Sequence, residues 1–106
     1  MAQHVVFFWG ALNGMRTFDL TWDQIHHDSV VVITASEGDP PISSAAPTRF
    51  VGDARFTVNN IAPRDGVLSF RVTIEWGSPL NLWSTITVFD RTDPVIFGTV
   101  PFPPPR

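Results

Sequence analysis

The stretch Val67–Trp76, VLSFRVTIEW, decides the fold. Leu68, Phe70, Val72, Ile74 and Trp76 stand at every second position, with Ser69, Arg71, Thr73 and Glu75 between them. A strand sends successive side chains to opposite faces, whereas a helix would scatter this set around its circumference. The alternation therefore predicts a strand with one face buried and one face solvated.

The same period recurs on both sides. In RTFDLTWD (16–23), Phe18, Leu20 and Trp22 share a face, opposite Thr17, Asp19, Thr21 and Asp23. In RFVGDARFTV (49–58), read as one strand, Phe50, Gly52, Ala54, Phe56 and Val58 face one way. In LNLWSTITVFD (80–90), Leu80, Leu82, Ile86 and Val88 oppose Asn81, Trp83, Thr85, Thr87 and Phe89. Two runs, HVVFFW (4–9) and SVVVITA (29–35), are apolar on both faces, which suits central or covered strands. In the first, Val5, Phe7 and Trp9 are expected to point inward and Val6 and Phe8 outward. The run PVIFGTVPF (94–102) carries prolines that cannot donate a ladder hydrogen bond, so it is expected at a sheet edge.

Turn chemistry separates these runs. LNGM and PRDG hold Asn-Gly and Asp-Gly, and WGSPL and DRTDP are further breaks. Ser36–Thr48, rich in Pro, Ser and Gly, is the longest expected loop. The chain of 106 residues is thus expected to form one all-β domain, a β-sandwich of about seven antiparallel strands over residues 1–100. Residues 101–106, PFPPPR, are expected to form an extended Pro-rich tail. Within that class both an immunoglobulin or fibronectin-III-like and a jelly-roll-like arrangement fit. The piece FTVNNIAPRDGVLSFRV (56–72) resembles the strand–turn–strand corner of fibronectin-type-III and immunoglobulin-like domains. Ile61, Pro63 and Asp65 stand before the alternating Leu68, Phe70 and Val72, but the corner tyrosine and the Cys…Trp…Cys spacing are absent. The resemblance implies a sandwich and no function.

Composition narrows the function classes. With no cysteine there is no disulfide framework, no thiolate zinc site and no thiol nucleophile. The net charge is −3, and the seven basic residues are arginines spread singly, so no basic footprint for nucleic acid or anionic membrane is visible. No stretch reaches the roughly 20 apolar residues of a spanning helix, and no signal-peptide pattern opens the chain, so membrane insertion is not expected. The expectation is a cytoplasmic protein, with non-classical export left open.

WDQIHHD (22–28) brings His26 and His27 between Asp23 and Asp28. Adjacent side chains diverge in any regular backbone, and no spaced ligand motif is present. No metal and no other cofactor are therefore expected, and the stretch reads as a polar turn with Asp28 or Ser29 shaping entry into the next strand. GxSxG and phosphate-loop patterns are also absent. A carboxylate pair from Asp19, Asp53 and Glu75 is a weaker hydrolase reading, so no enzymatic activity and no catalytic residue is expected.

What remains is binding. A tryptophan on an outer face among hydrogen-bonding side chains suits a sugar, whose apolar C–H face stacks on the ring. The candidate ligand site is Trp83 with Asn81, joined by Glu75 and Arg71 if strand 67–76 pairs with strand 80–90, and by Asp19 or the loop Ser36–Thr48. The alternatives are that Trp83 covers the sheet against a loop or sits in an oligomer interface. The expected function is a lectin-like carbohydrate-binding module, with glycans as partners and homo-oligomers raising avidity. The alternative is a structural subunit that self-associates through its two-sided apolar strands and the Pro-rich tail.

Overall fold

A computed structural model describes residues 2–41, 48–89 and 98. The chain forms β1 (Ala2–Leu12), β2 (Gly14–Thr21), β3 (Val31–Gly38), β4 (Arg49–Phe50), β5 (Arg55–Arg64), β6 (Val67–Glu75) and β7 (Leu80–Phe89). These make two antiparallel sheets, one ordered β1-β7-β3-β4 and the other β2-β6-β5. The fold is the expected all-β sandwich. No helix is long and apolar enough to cross a membrane among the described residues. The expected strand 94–102, apart from Gly98, and the tail 101–106 lie outside those residues.

The core is the inner rows of both sheets. Leu68, Phe70, Val72 and Ile74 of β6 are buried, facing Ile33 of β3 and Leu82, Ile86 and Val88 of β7. Val5 and Trp9, Phe18 and Leu20, and Phe56 and Val58 pack around them. Trp9 is the aromatic hinge of this core, 4.5 Å from the Phe18 ring and 5.8 Å, edge-on, from Phe70. It occupies a β-bulge: the β1–β7 register shifts between Phe8 and Gly10, and Gly10 takes φ 106°.

The winding separates the two sandwich families. β1 pairs with β7 and β2 with β6, so consecutive strands cross together from one sheet to the other. The two crossings touch: Asn13 Nδ2, between β1 and β2, donates to the Trp76 carbonyl oxygen, between β6 and β7. Nested pairing of this kind is jelly-roll winding. The immunoglobulin order would keep the first two strands in one sheet. The fibronectin-like corner over 56–72 is accordingly a hairpin within one sheet, because Asp65-Gly66 closes a two-residue turn with Gly66 at φ 82°. β5 runs through Pro63, with a bulge between Asn59 and Ala62 that places Asn60 at φ 55°. As a sheet edge, β5 tolerates that proline.

Two strand expectations are corrected. Stretch 49–58 is broken at Val51–Ala54, where a bend at Asp53 and Ala54 takes the chain from one sheet to the other. Stretch 67–76 ends one residue early. The Trp76 N–H donates to the Ile74 carbonyl oxygen, a bond spanning two residues that breaks the pleat and leaves Trp76 45% exposed.

Candidate functional site

The five residues expected to form one site lie on opposite surfaces. Trp83 and Asn81 are on the outer face of the four-stranded sheet, as their alternation requires. Asp19, Arg71 and Glu75 are on the outer face of the three-stranded sheet. The expectation that β6 pairs with β7 fails, because β6 pairs with β2 and β5 while β7 pairs with β1 and β3. With two sheets packed ~10 Å apart between them, the two groups cannot contact one small ligand.

The Trp83 ring is also covered, being 6% exposed. The Phe8 ring packs against it at 4.9 Å, and its Nε1–H donates to the Asp39 carbonyl oxygen at 2.8 Å. The ring lies against the backbone of Gly38, where a Cβ would stand 2.7 Å from Trp83 Cδ1 and 2.8 Å from the Thr48 oxygen, so only glycine fits. Asn81 Nδ2 donates to the Gly38 carbonyl oxygen at 3.2 Å. Both side chains therefore pin the end of β3 and the loop after it. Of the readings open for Trp83, the ring takes the one in which it covers the sheet, held against Gly38 and the Asp39 carbonyl.

The rest of that face is open. Across β1, β7 and β3, successive rows read Phe8, Trp83, Ser36; then Val6, Thr85, Thr34; then His4, Thr87, Val32; then Ala2, Phe89, with Val30 beside it. Val6 (43%), Val32 (49%), Val30 and Phe89 are exposed large apolar side chains. Threonines fill the middle, and Arg49 Nη1 and His4 Nδ1 bond Thr85 and Thr87. The result is a sheet face of valine, threonine and phenylalanine whose charge comes from the Arg49 guanidinium on Thr85.

The opposite surface is polar and internally satisfied. Arg64 Nη2 donates to Ser69 Oγ at 2.8 Å, and Ser69 Oγ donates to Asp19 Oδ1 at 2.6 Å. Arg71 Nε donates to Thr17 Oγ1 at 3.3 Å, and Arg55 stands 3.9 Å from Glu75. Exposed pairs of this kind contribute little stability. Asp19 and Glu75 are on this face with Arg partners, and Asp53 lies elsewhere, in the β4–β5 link.

The stretch 22–28 closes one end of the sandwich. Ile25 is fully buried in the core although it lies in a loop. Its N–H donates to the Trp22 carbonyl, and its own carbonyl accepts from the Gly66 N–H at 2.8 Å. Trp22 N–H donates back to the Gly66 oxygen at 3.0 Å. The His26 N–H donates to Ser29 Oγ, so Ser29 shapes the turn as expected. The His27 N–H donates to Asp65 Oδ1 at 2.9 Å, with the ring Nδ1 at 3.2 Å. The backbone bond, then the ring, hold the Asp65 carboxyl below the usual aspartate range. Among the described residues no group of three or more His, Asp or Glu could hold a metal ion.

A third feature, missed by the sequence reading, sits at the open side of the sandwich between β3, β4 and β5. A cleft of about 220 Å³ is lined by Ala35, Ser36, Glu37, Phe50, Val51, Gly52, Ala54 and Phe56. Glu37 continues the inner row Ile33, Ala35, so this carboxylate occupies a core-side position. Alternation through VVITASEG carried that signal.

No protein-family model, curated protein or solved structure matches the chain.

Proposed function

We propose that this chain is a non-enzymatic assembly module that self-associates through the outer face of its four-stranded sheet. One observation carries the reading: Val6, Val30, Val32 and Phe89 stand exposed on one sheet face, around a centre of Thr34, Thr85 and Thr87. Large apolar side chains left exposed together on one sheet face favour an interaction site. A second copy presenting the same valine–threonine face supplies a matching partner. Three strands at ~4.8 Å spacing and seven residues at ~3.3 Å rise give roughly 14 by 23 Å per copy. Two such faces bury less than the ~1,200 Å² of a standard stable interface, so the association is weak and concentration-dependent.

Sedimentation velocity across a hundredfold range of concentration tests it. The expected result is a monomer–dimer equilibrium that Val32→Glu shifts to monomer while circular dichroism stays unchanged. A protein that is monomeric throughout, or a dimer indifferent to Val32→Glu, overturns the reading.

Carbohydrate binding is the second reading, and Trp76 supports it in place of Trp83. Trp76 is the tryptophan with an exposed ring, set beside Asn13 at the end of the sandwich. An exposed indole next to an amide can stack on a sugar and bond its hydroxyls. Glycan-array binding that disappears in Trp76→Ala supports this reading, and binding unchanged in that variant removes the site.

A further inference from the structure

We propose that the cleft between β3, β4 and β5 is a binding site for an alkylammonium group on a short apolar stem. The ligand is a small primary amine or the end of a lysine side chain.

The placement of Glu37 points there. Val31, Ile33 and Ala35 line the inner row of β3, and Glu37 follows them on the same side. A half-buried carboxylate in an apolar row needs a cation or hydrogen-bond donors. Among the described residues no ion pair or side-chain hydrogen bond satisfies it. Its carboxylate lies over Gly52, where a Cβ would collide with Glu37 Oε1. The glycine thus leaves room for the carboxylate to lie in the cleft.

The surrounding chemistry fits a cation with an apolar body. Phe50, Phe56, Val51, Ala35 and Ala54 form the walls, and phenyl faces attract ammonium groups. Asp53 lies between lining residues Gly52 and Ala54 and adds negative charge. The neighbouring arginines are engaged elsewhere: Arg49 bonds Thr85 and Arg55 faces Glu75. At about 220 Å³ the cleft is smaller than the ~300–1,000 Å³ of drug-sized sites, which matches one side chain or a four- to six-carbon amine.

The test is a ¹⁵N–¹H correlation titration at fixed ionic strength. The probes are n-butylammonium, the neutral isostere n-butanol, and Nα-acetyl-lysine N-methylamide. Saturable shifts at the Ala35, Glu37, Gly52 and Ala54 amides with n-butylammonium and not with n-butanol are expected. The lysine derivative distinguishes the source: equal or tighter saturation assigns a protein side chain, and weaker saturation assigns a free amine. Glu37→Gln should weaken binding at least about tenfold with the spectrum otherwise intact. Gly52→Ala, which displaces the carboxylate and keeps the charge, should weaken it too. Equal shifts with n-butanol, no saturation with either amine, or unchanged affinity in Glu37→Gln overturns the proposal.

Discussion

Ile25→Ala tests whether stretch 22–28 is a structural plug. Ile25 is 0% exposed and belongs to the core, although both of its neighbours are polar and it sits outside every strand. The substitution removes three buried carbons. At ~0.8 kcal/mol each, the lost transfer free energy is about 2.4 kcal/mol. The cavity left beneath the loop adds to that, and fully buried Ile→Ala changes cost ~2–5 kcal/mol in all. The backbone bonds from Ile25 to Trp22 and Gly66 do not involve the side chain, so the loop keeps its anchors and can collapse only partly. A cost of about 3 kcal/mol follows, against the ~5–15 kcal/mol of a typical domain. For a chain of this size that lowers Tm by about 12–24 °C. Urea unfolding followed by tryptophan fluorescence measures it, with an unchanged m-value showing that the unfolded state is not the cause. His26→Ala is the control, since the turn uses its backbone N–H and not its ring. A cost below 1 kcal/mol for Ile25→Ala would show that the loop is not part of the core. A loss of stability on adding a chelator would equally refute the plug reading.

Further outcomes follow from the same geometry. Trp83→Phe keeps a ring against Gly38 and Phe8 and loses the bond to the Asp39 carbonyl, so it should cost about 1–2 kcal/mol. Faster amide exchange at Asp39 in that variant would confirm that the ring clamps the loop, while unchanged exchange would count against the clamp. Ser84 is fully buried and its Oγ has no hydrogen-bond partner among the described residues. Ser84→Ala should therefore be neutral or stabilising by up to about 1 kcal/mol in denaturant midpoint, and a clear loss would reveal a partner for the hydroxyl. Asp65 has its folded carboxyl pKa lowered, first by the His27 N–H. Its contribution is present above the ordinary aspartate value of about 4 and is lost as pH falls through the depressed folded value. Asp65→Asn should flatten the acid side of the stability–pH curve, and an identical acid slope in both proteins would remove that assignment.

Much of the fold was legible because alternation is a local signal. Leu68, Phe70, Val72 and Ile74 take their faces from the pleat alone, whatever strand lies beside them. The candidate site was not legible, because partner choice and cover are non-local. Sequential strands usually neighbour each other, and that prior wrongly placed Arg71 and Glu75 beside Trp83. The two tryptophans exchange roles for reasons outside their own strands. Trp83 is on the outer face, yet Phe8 and the backbone of Gly38 and Asp39 lie against its ring. Trp76 continues the core alternation, yet one hydrogen bond to Ile74 turns it out. Ile25 had no periodic neighbour to reveal it. The break at Gly52-Asp53 carried a turn signal that the surrounding alternation masked.

The pairing of β1 with β7 governs how the chain is made. Val5 lies opposite Ile86, eighty-one positions later, so β1 finds its partner only when β7 has emerged. Pairings so distant in sequence make folding slow. Until then AQHVVFFWGAL, an unpaired apolar strand with no charge but a histidine, waits outside the ribosome exposed to other chains. The local β5–β6 hairpin, closed by two residues, can form meanwhile and offer its inner face to β2. Newly made protein should be most prone to aggregate during this interval, and a chaperone that holds the unpaired β1 segment should raise its yield more than one that acts after β7 has been made.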